Sequence, residues 1–240
     1  MLKSKLLLLT VLGAVASCNA AEPSVEANIK KNLAPRLGDG VKIDTVKATP
    51  YAGLYEVKAG GDIIYTDKDS KFLFVGQVYN AQTSENLTKI RLEEINRIKF
   101  SDLPTQYAMK MVKGDGKRVI AIFEDPNCGY CKQFRKTTLA EVNNITVYTY
   151  MLNILSEDSM NKSRNIWCAP DRTKAWDEWM LNNKLPAAAA ASCKAPHHEV
   201  AELGRKFRIN GTPAIFFADG TRIAGAIDTA GLEAKLKSVK

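Results

Sequence analysis

Arg118-Val-Ile-Ala-Ile-Phe123-Glu124-Asp125-Pro-Asn-Cys128-Gly129-Tyr130-Cys131-Lys132-Gln-Phe134 is the stretch that decides how this chain folds. Val119 to Phe123 is an unbroken apolar, β-branched run, which predicts a buried strand. Lys132 to Val142 lacks Gly and Pro and predicts a helix. The turn between them puts Cys128 at an exposed helix N-terminus, where unpaired backbone N–H groups and the macrodipole favour an anion. A thiolate there forms below the ~8.5 of a free cysteine and is a better nucleophile and leaving group. Two thiols at this spacing, beside a strand–helix pattern, point to a redox pair rather than half a zinc site or a structural bridge. Glu124 and Asp125 are candidate proton relays, because a carboxylate near a buried second thiol takes its proton when Cys131 attacks. A solvated loop pair or a helix-cap contribution is the plainer alternative for both. Gly129 and Tyr130 form the lip of the site, Tyr130 as an aromatic, hydrogen-bonding contact.

The N-terminus agrees with disulfide chemistry. Lys3 and Lys5 precede the apolar run Leu6 to Leu12, and small residues follow to Ala20-Ala21, the pattern of a secretory signal peptide over residues 1–20. The run is short for a membrane span. Val15-Ala16-Ser17-Cys18 also fits a lipoprotein box, in which Cys18 would be lipidated; the plain reading is cleavage after Ala20 and a soluble periplasmic protein. The net charge of +8 becomes +6 without the two leader lysines. Residues 21–98 hold 11 acidic and 11 basic residues, and residues 99–240 hold 15 and 21, so the excess is C-terminal. It forms no clustered stripe or known module, which argues against nucleic acid as a partner.

Residues 21–82 read as a small α+β module. Val25, Ile29 and Leu33 fall on one helical face, and the apolar runs Leu54–Ala59, Ile63–Thr66 and Phe72–Val78 are separated by Gly60-Gly61 and Asp67-Lys-Asp-Ser70, which are hairpin signals. So few elements bury little surface, and pairing a strand edge with a second copy would relieve that, making the segment a dimerisation module. Docking on the C-terminal domain is the alternative. Thr83-Ser84 offers a cap for a charged helix, Leu87 to Ile98, and residues 83–103 read as a linker helix closed by Asp102-Leu-Pro104.

Residues 104–240 alternate between strand and helix patterns. Strands are expected over 107–112, 118–123, 145–155, 214–217 and 222–224. Helices are expected over 132–142, 158–183 and 197–207 and from Asp228 onward. This order resembles the thioredoxin arrangement with a helical insertion. Thr212-Pro213, just before Ala214-Ile-Phe-Phe217, matches the cis-proline loop that faces the cysteine pair in such folds and leaves backbone free to pair with a substrate peptide. Cys168 and Cys193 remain; in an exported protein the default is that they bond to each other. A zinc set of Cys168, Cys193, His197 and His198 can also be drawn, although metal ligands usually come as closely spaced pairs. His197 and His198, being adjacent, read as surface or cap residues.

Phe123-Glu-Asp-Pro-Asn-Cys-Gly-Tyr-Cys131, Ile166-Trp-Cys-Ala169, Ala191-Ser-Cys193 and Gly211-Thr-Pro-Ala214 together resemble the DsbC-type (DsbC/DsbG) periplasmic thiol:disulfide interchange proteins. The similarity runs over the whole mature chain, with Gly76 and Tyr79 where that family ends its dimerisation strand. The resemblance implies a V-shaped homodimer, a structural disulfide Cys168–Cys193, and catalytic Cys128 and Cys131. It implies substrate contact through Gly129, Tyr130, Thr212 and Pro213, and no cofactor or metal. The implied function is isomerisation or reduction of wrong disulfides in misoxidised or unfolded exported proteins, with chaperone-like binding, re-reduction coming from a membrane thiol reductase of the DsbD type. A dithiol oxidase of the same fold, and a holdase or specialised client reductase, are the competing functions.

Overall fold

The computed structural model describes residues 24–38 and 40–239. The expected leader over residues 1–20, with Cys18, lies outside them. The chain divides into two compact units, Met1–Val75 and Gly76–Lys240.

In the first unit Ser24 caps α1 (Val25–Leu33), its hydroxyl accepting from Ala27 N–H at 3.2 Å. Ile29 and Leu33, one turn apart, are buried against Ile43 and Val57. These two belong to an antiparallel sheet ordered β1 (Ile43–Ala48), β2 (Tyr55–Ala59), β3 (Asp62–Thr66), β4 (Leu73–Phe74). Gly60 and Gly61 join β2 to β3 with φ of 61° and 98°, the left-handed pair that a two-residue primed hairpin turn demands. Asp67 shapes the next turn by accepting from Lys71 N–H and Phe72 N–H, both at 2.8 Å. The expected meander lacked β1, whose pairing with β2 is bulged between Ile43 and Thr45. The bulge throws Ile43 and Val46 out of period-two alternation, which hides the strand from pattern reading. The last strand is shorter than the expected 72–78, pairing only Leu73 and Phe74 with β3. Phe72, Leu73, Phe74 and Val75 are 65%, 43%, 48% and 82% exposed, a continuous apolar edge.

The second unit begins before α2 (Leu87–Ile95), where Asn86 is the cap, accepting from Lys89 N–H at 2.9 Å. Thr83-Ser84 is therefore not the cap: Ser84 takes a left-handed φ of 59° and the Thr83 hydroxyl donates to Glu85. The helix stops at Ile95, short of the expected Ile98. Ile98 N–H instead donates to the Gly220 carbonyl at 3.0 Å. A Cβ at Gly220 would lie 1.8 Å from the Ile98 oxygen, so this docking requires glycine.

The five-stranded sheet is ordered β5 (Met109–Lys113), β7 (Ile145–Met151), β6 (Arg118–Glu124), β8 (Ala214–Phe217), β9 (Arg222–Ala224), with β6 and β7 parallel and the other pairs antiparallel. Along β6, Ile120 and Ile122 enter one core with Phe134, Leu139 and Leu232. Ala121 and Phe123 enter the opposite core with Tyr150, Leu203 and Phe216. Burial on both faces explains why this run is apolar without alternation. α3 (Gly129–Phe134) and α7 (Thr229–Ser238) cover the first face, and α6 (His197–Lys206) the second. α3 continues through a π-helical turn at Arg135–Leu139. The long helix expected over 158–183 is two helices, α4 (Glu157–Trp167) and α5 (Arg172–Asn182). Pro170 lacks the N–H a continuous helix needs, and Asp171 caps α5 by accepting from Lys174 N–H at 2.9 Å.

Candidate active site

β6 ends at Glu124, and after three intervening residues Cys128 caps the start of α3. The Cys128 Sγ accepts from Cys131 N–H at 3.1 Å, satisfying one of the donors a helix start leaves free. On its other side the same sulfur lies 3.3 Å from the Thr212 carbonyl oxygen. The Thr212–Pro213 peptide is cis, as its place before β8 led one to expect. Cys128 is 4% exposed and Cys131 fully buried, so the exposed helix end belongs to Gly129 and Tyr130, not to the first thiol. Cys128 instead faces a groove of about 560 Å³ whose walls include Gly129, Tyr130, Ile154, Leu155 and Thr212. Pro213 is buried behind it.

The acidities of the two thiols diverge. A hydrogen bond from the Cys131 thiol, helped by the Thr212 side chain and Cys131 N–H, outweighs burial and brings Cys128 from 9.0 down to about 6. Burial first, then the bond to Cys128 and the charge of Glu124, push Cys131 up. At neutral pH one sulfur is a thiolate open to the groove, and the other holds its proton beneath it.

Glu124 and Asp125 are both fully buried, which rules out a solvated loop pair. Asp125 Oδ1 accepts from Asn127 N–H at 2.8 Å and the Ser159 hydroxyl at 2.7 Å. Its Oδ2 accepts from Ile154 N–H at 2.9 Å and Leu155 N–H at 3.1 Å. Four donors occupy the acceptor sites of a carboxylate. Asp125 therefore fixes the groove wall at Ile154-Leu155 and has no acceptor site left for a relayed proton. Glu124 is held by Arg135 and acts on Cys131 through its charge. Ile154, Leu155 and the Ile209–Gly211 segment were missed by sequence reasoning. Only the topology, which brings the end of β7 and the α6–β8 loop to Cys128, makes them a wall.

Cys168 and Cys193 form a disulfide, with Cα atoms 6.3 Å apart, tying the end of α4 to the loop before α6. His197 is not a surface residue: it is half-buried, with Nδ1 2.9 Å from Asn153 Nδ2, and burial lowers its pKa. His198 is exposed beside Glu202. Among the described residues no group of three or more His, Cys, Asp or Glu side chains is placed to hold a metal ion.

The family described as a thioredoxin-like domain matches residues 105–240, and one described as the disulfide bond isomerase protein N-terminal domain matches residues 19–89. The probable thiol:disulfide interchange protein DsbC of Bordetella parapertussis is 44% identical over 92% of this chain and 77% of its own. The chain belongs to the DsbC family. The DsbC of Escherichia coli K12 is 27% identical over 93% of this chain and 91% of its own. A crystal structure of a disulfide interchange protein from Neisseria gonorrhoeae superposes with a TM-score of 0.54 at 35% identity, covering 57% of this chain and 97% of that one. As in the DsbC relatives, the chemistry of this protein is thiol:disulfide interchange, on a thioredoxin-like domain joined to the family's N-terminal domain.

Proposed function

We propose that this DsbC-family protein is a periplasmic disulfide isomerase and reductase, acting through Cys128 and Cys131 on misoxidised exported proteins. The observation that carries this reading is the placement of the sulfurs: Cys128 lines an open groove with Cys131 N–H donating to its Sγ, and Cys131 is fully buried behind it, an arrangement that holds the first thiol's pKa down and pushes the second up. Cys128 thiolate attacks a substrate disulfide; a Cys128–substrate bond forms and the displaced substrate sulfur leaves with the electron pair. A second substrate thiolate that displaces Cys128 completes isomerisation without net redox change. If none arrives, Cys131 gives its proton to Glu124 and attacks Cys128, releasing the substrate thiolate and leaving the protein oxidised. Electrons then return from a membrane thiol reductase of the DsbD type, without a cofactor. Gly129, Tyr130, Thr212 and Pro213 contact the substrate, the backbone at Thr212 pairing with it as a strand would. Residues 21–82 assemble two copies through the exposed edge Phe72–Val75, residues 83–103 link, and residues 104–240 catalyse. The paired subunits hold unfolded chains by apolar contact.

Refolding of a scrambled-disulfide substrate, run beside size-exclusion chromatography of the mature protein, tests this. Recovery of native disulfides by a dimer is expected. A monomer, or a protein that only inserts disulfides, overturns the isomerase reading in favour of a dithiol oxidase.

A further inference from the structure

The turn between β6 and Cys128 is gripped by the helical insertion, through contacts that disulfide interchange does not by itself require. Asp125, Pro126 and Asn127 form this turn, in which Cys128 N–H donates to the Asp125 carbonyl at 3.0 Å. Pro126 is buried and has no N–H, so the carbonyl is its one polar backbone group. Trp179 Nε1, on α5, donates to that carbonyl at 2.7 Å. Asn127 Nδ2 donates to Asp158 Oδ2 at 2.9 Å and to the Ser156 and Ser159 hydroxyls at 3.1 Å, all at the start of α4. Asn127 Oδ1 accepts from Lys162 Nζ, also on α4, at 2.8 Å. The Trp179 ring packs against the buried group that holds Cys128 and Cys131. Lys132, the residue after Cys131, places its ammonium 4.1 Å from the ring centre, and Lys162 places its own at 4.5 Å. One indole therefore joins α5 to the turn before Cys128, to α3 just after Cys131, and to α4.

Cys128 is a cap residue with extended backbone, φ −74° and ψ 112°, so the regular bonding of the helix does not fix it. The turn ahead of it does. Its Sγ reaches the Cys131 N–H at 3.1 Å only while the chain enters α3 in one direction. Such a bond favours the thiolate and weakens as it bends or lengthens. We propose that Trp179 and Asn127 are positioning residues of the dithiol: through them α5 and α4 hold the turn ahead of Cys128 so that its sulfur stays on the Cys131 N–H. This rests on the dithiol reading above. Both residues act through the turn and not through a bond to sulfur. The titratable groups that act on Cys128 are Cys131 of α3 and Glu124 of β6, while Lys132, Lys162 and Asp158 stand at the clamp. Trp179→Phe leaves all five in place, so its effect separates position from charge.

The test is the pH titration of Cys128 alkylation by iodoacetamide in the full-length reduced protein, read by mass spectrometry beside the urea midpoint of each variant. Trp179→Phe keeps an aromatic ring beside the two lysines and removes the N–H that the Pro126 carbonyl accepts. The Cys128 midpoint should rise by about half to one pH unit, so that alkylation at pH 5 slows by about three- to tenfold. Asn127→Ala should move it the same way, and Trp179→Ala, which removes the ring as well, should move it furthest. A merely structural role would lower the urea midpoint and leave the titration in place. A midpoint that is unmoved, or that falls, in Trp179→Phe overturns the proposal. If that variant does not fold, an unmoved midpoint in Asn127→Ala, at a residue only partly buried, overturns it instead. If unmutated Cys128 titrates as a free thiol and forms no mixed disulfide with glutathione disulfide, the dithiol reading falls and the clamp with it. A low midpoint that the variants leave alone breaks the clamp alone.

Discussion

The sheet of the second unit is covered on both faces, by α3 and α7 on one side and α6 on the other. The sheet of the first unit has one nine-residue helix over it, and its last strand leaves Phe72 to Val75 in the open. One unit completes its own core; the other ends in an exposed apolar edge. The four cysteines among the described residues all lie in the self-sufficient unit. On the function proposed above, chemistry and assembly fall to different units, and mutation should separate them.

The largest expected effect is on chemistry alone. Cys128→Ala should lower interchange turnover by about a thousandfold or more, because no other thiolate faces the groove. Size-exclusion elution should not change; a shift to monomer would show that assembly depends on the thiol unit after all. Next in size is the covalent staple of the same unit. Replacing Cys168 and Cys193 by Ala opens a bridge with a sequence separation of 25. This should cost about 3–4 kcal/mol in the chain-entropy model, read as a lower urea midpoint. Alkylation of Cys128 should be little affected, since the bridge joins the α4 end to the following loop. Loss of thiol reactivity would mean that the staple positions the site.

Charging the edge attacks the other unit. Phe74→Asp with Val75→Asp should yield a monomer that reduces an insulin-type disulfide at the same rate per subunit, yet rescues scrambled substrates about tenfold less well, as two-site holding is lost. A variant that remains dimeric would move the interface elsewhere. A monomer that isomerises normally would remove assembly from the mechanism.

The same contrast governs what was legible in the sequence. The second unit was readable because burial on both faces writes an unbroken apolar strand at Val119–Phe123, followed by a thiol pair and, much later, a Thr-Pro before another apolar strand. The first unit was read in part: Gly60-Gly61 marks its hairpin, but the bulge at Asp44 scrambles the alternation that would have revealed β1. In the site, residue types pointed to Cys128, Cys131 and Thr212, which the structure brings together, with Cys128 Sγ 3.3 Å from the Thr212 carbonyl oxygen. They did not separate Glu124 from Asp125, which are neighbours with unlike partners. Nor did they mark Arg135, because its buried ion pair with Glu124 is assembled by packing between β6 and the π turn after α3 and leaves no local pattern.

The smallest effect expected is a pH midpoint, and it isolates the second unit because the first contributes no cysteine among the described residues. In the reduced protein, iodoacetamide labelling of Cys128 should follow a single titration with a midpoint near 6, as the donors at Cys131 and Thr212 favour the thiolate. The rate should level off above neutrality and fall about tenfold per unit below the midpoint. Cys131, pushed up by burial, should stay unlabelled over the same range. The sign of the linked stability follows. Cys128 is depressed in the folded state, so it stabilises the reduced form fully above the pKa of an unfolded thiol, and that stabilisation is lost as pH falls through about 6. The active-site disulfide should therefore become less oxidising in acid, which equilibration with glutathione at pH 5 and pH 7 measures. A midpoint near that of a free thiol would break the contrast at its centre, since the helix start and the Thr212 loop would then be shaping a groove without activating the sulfur inside it.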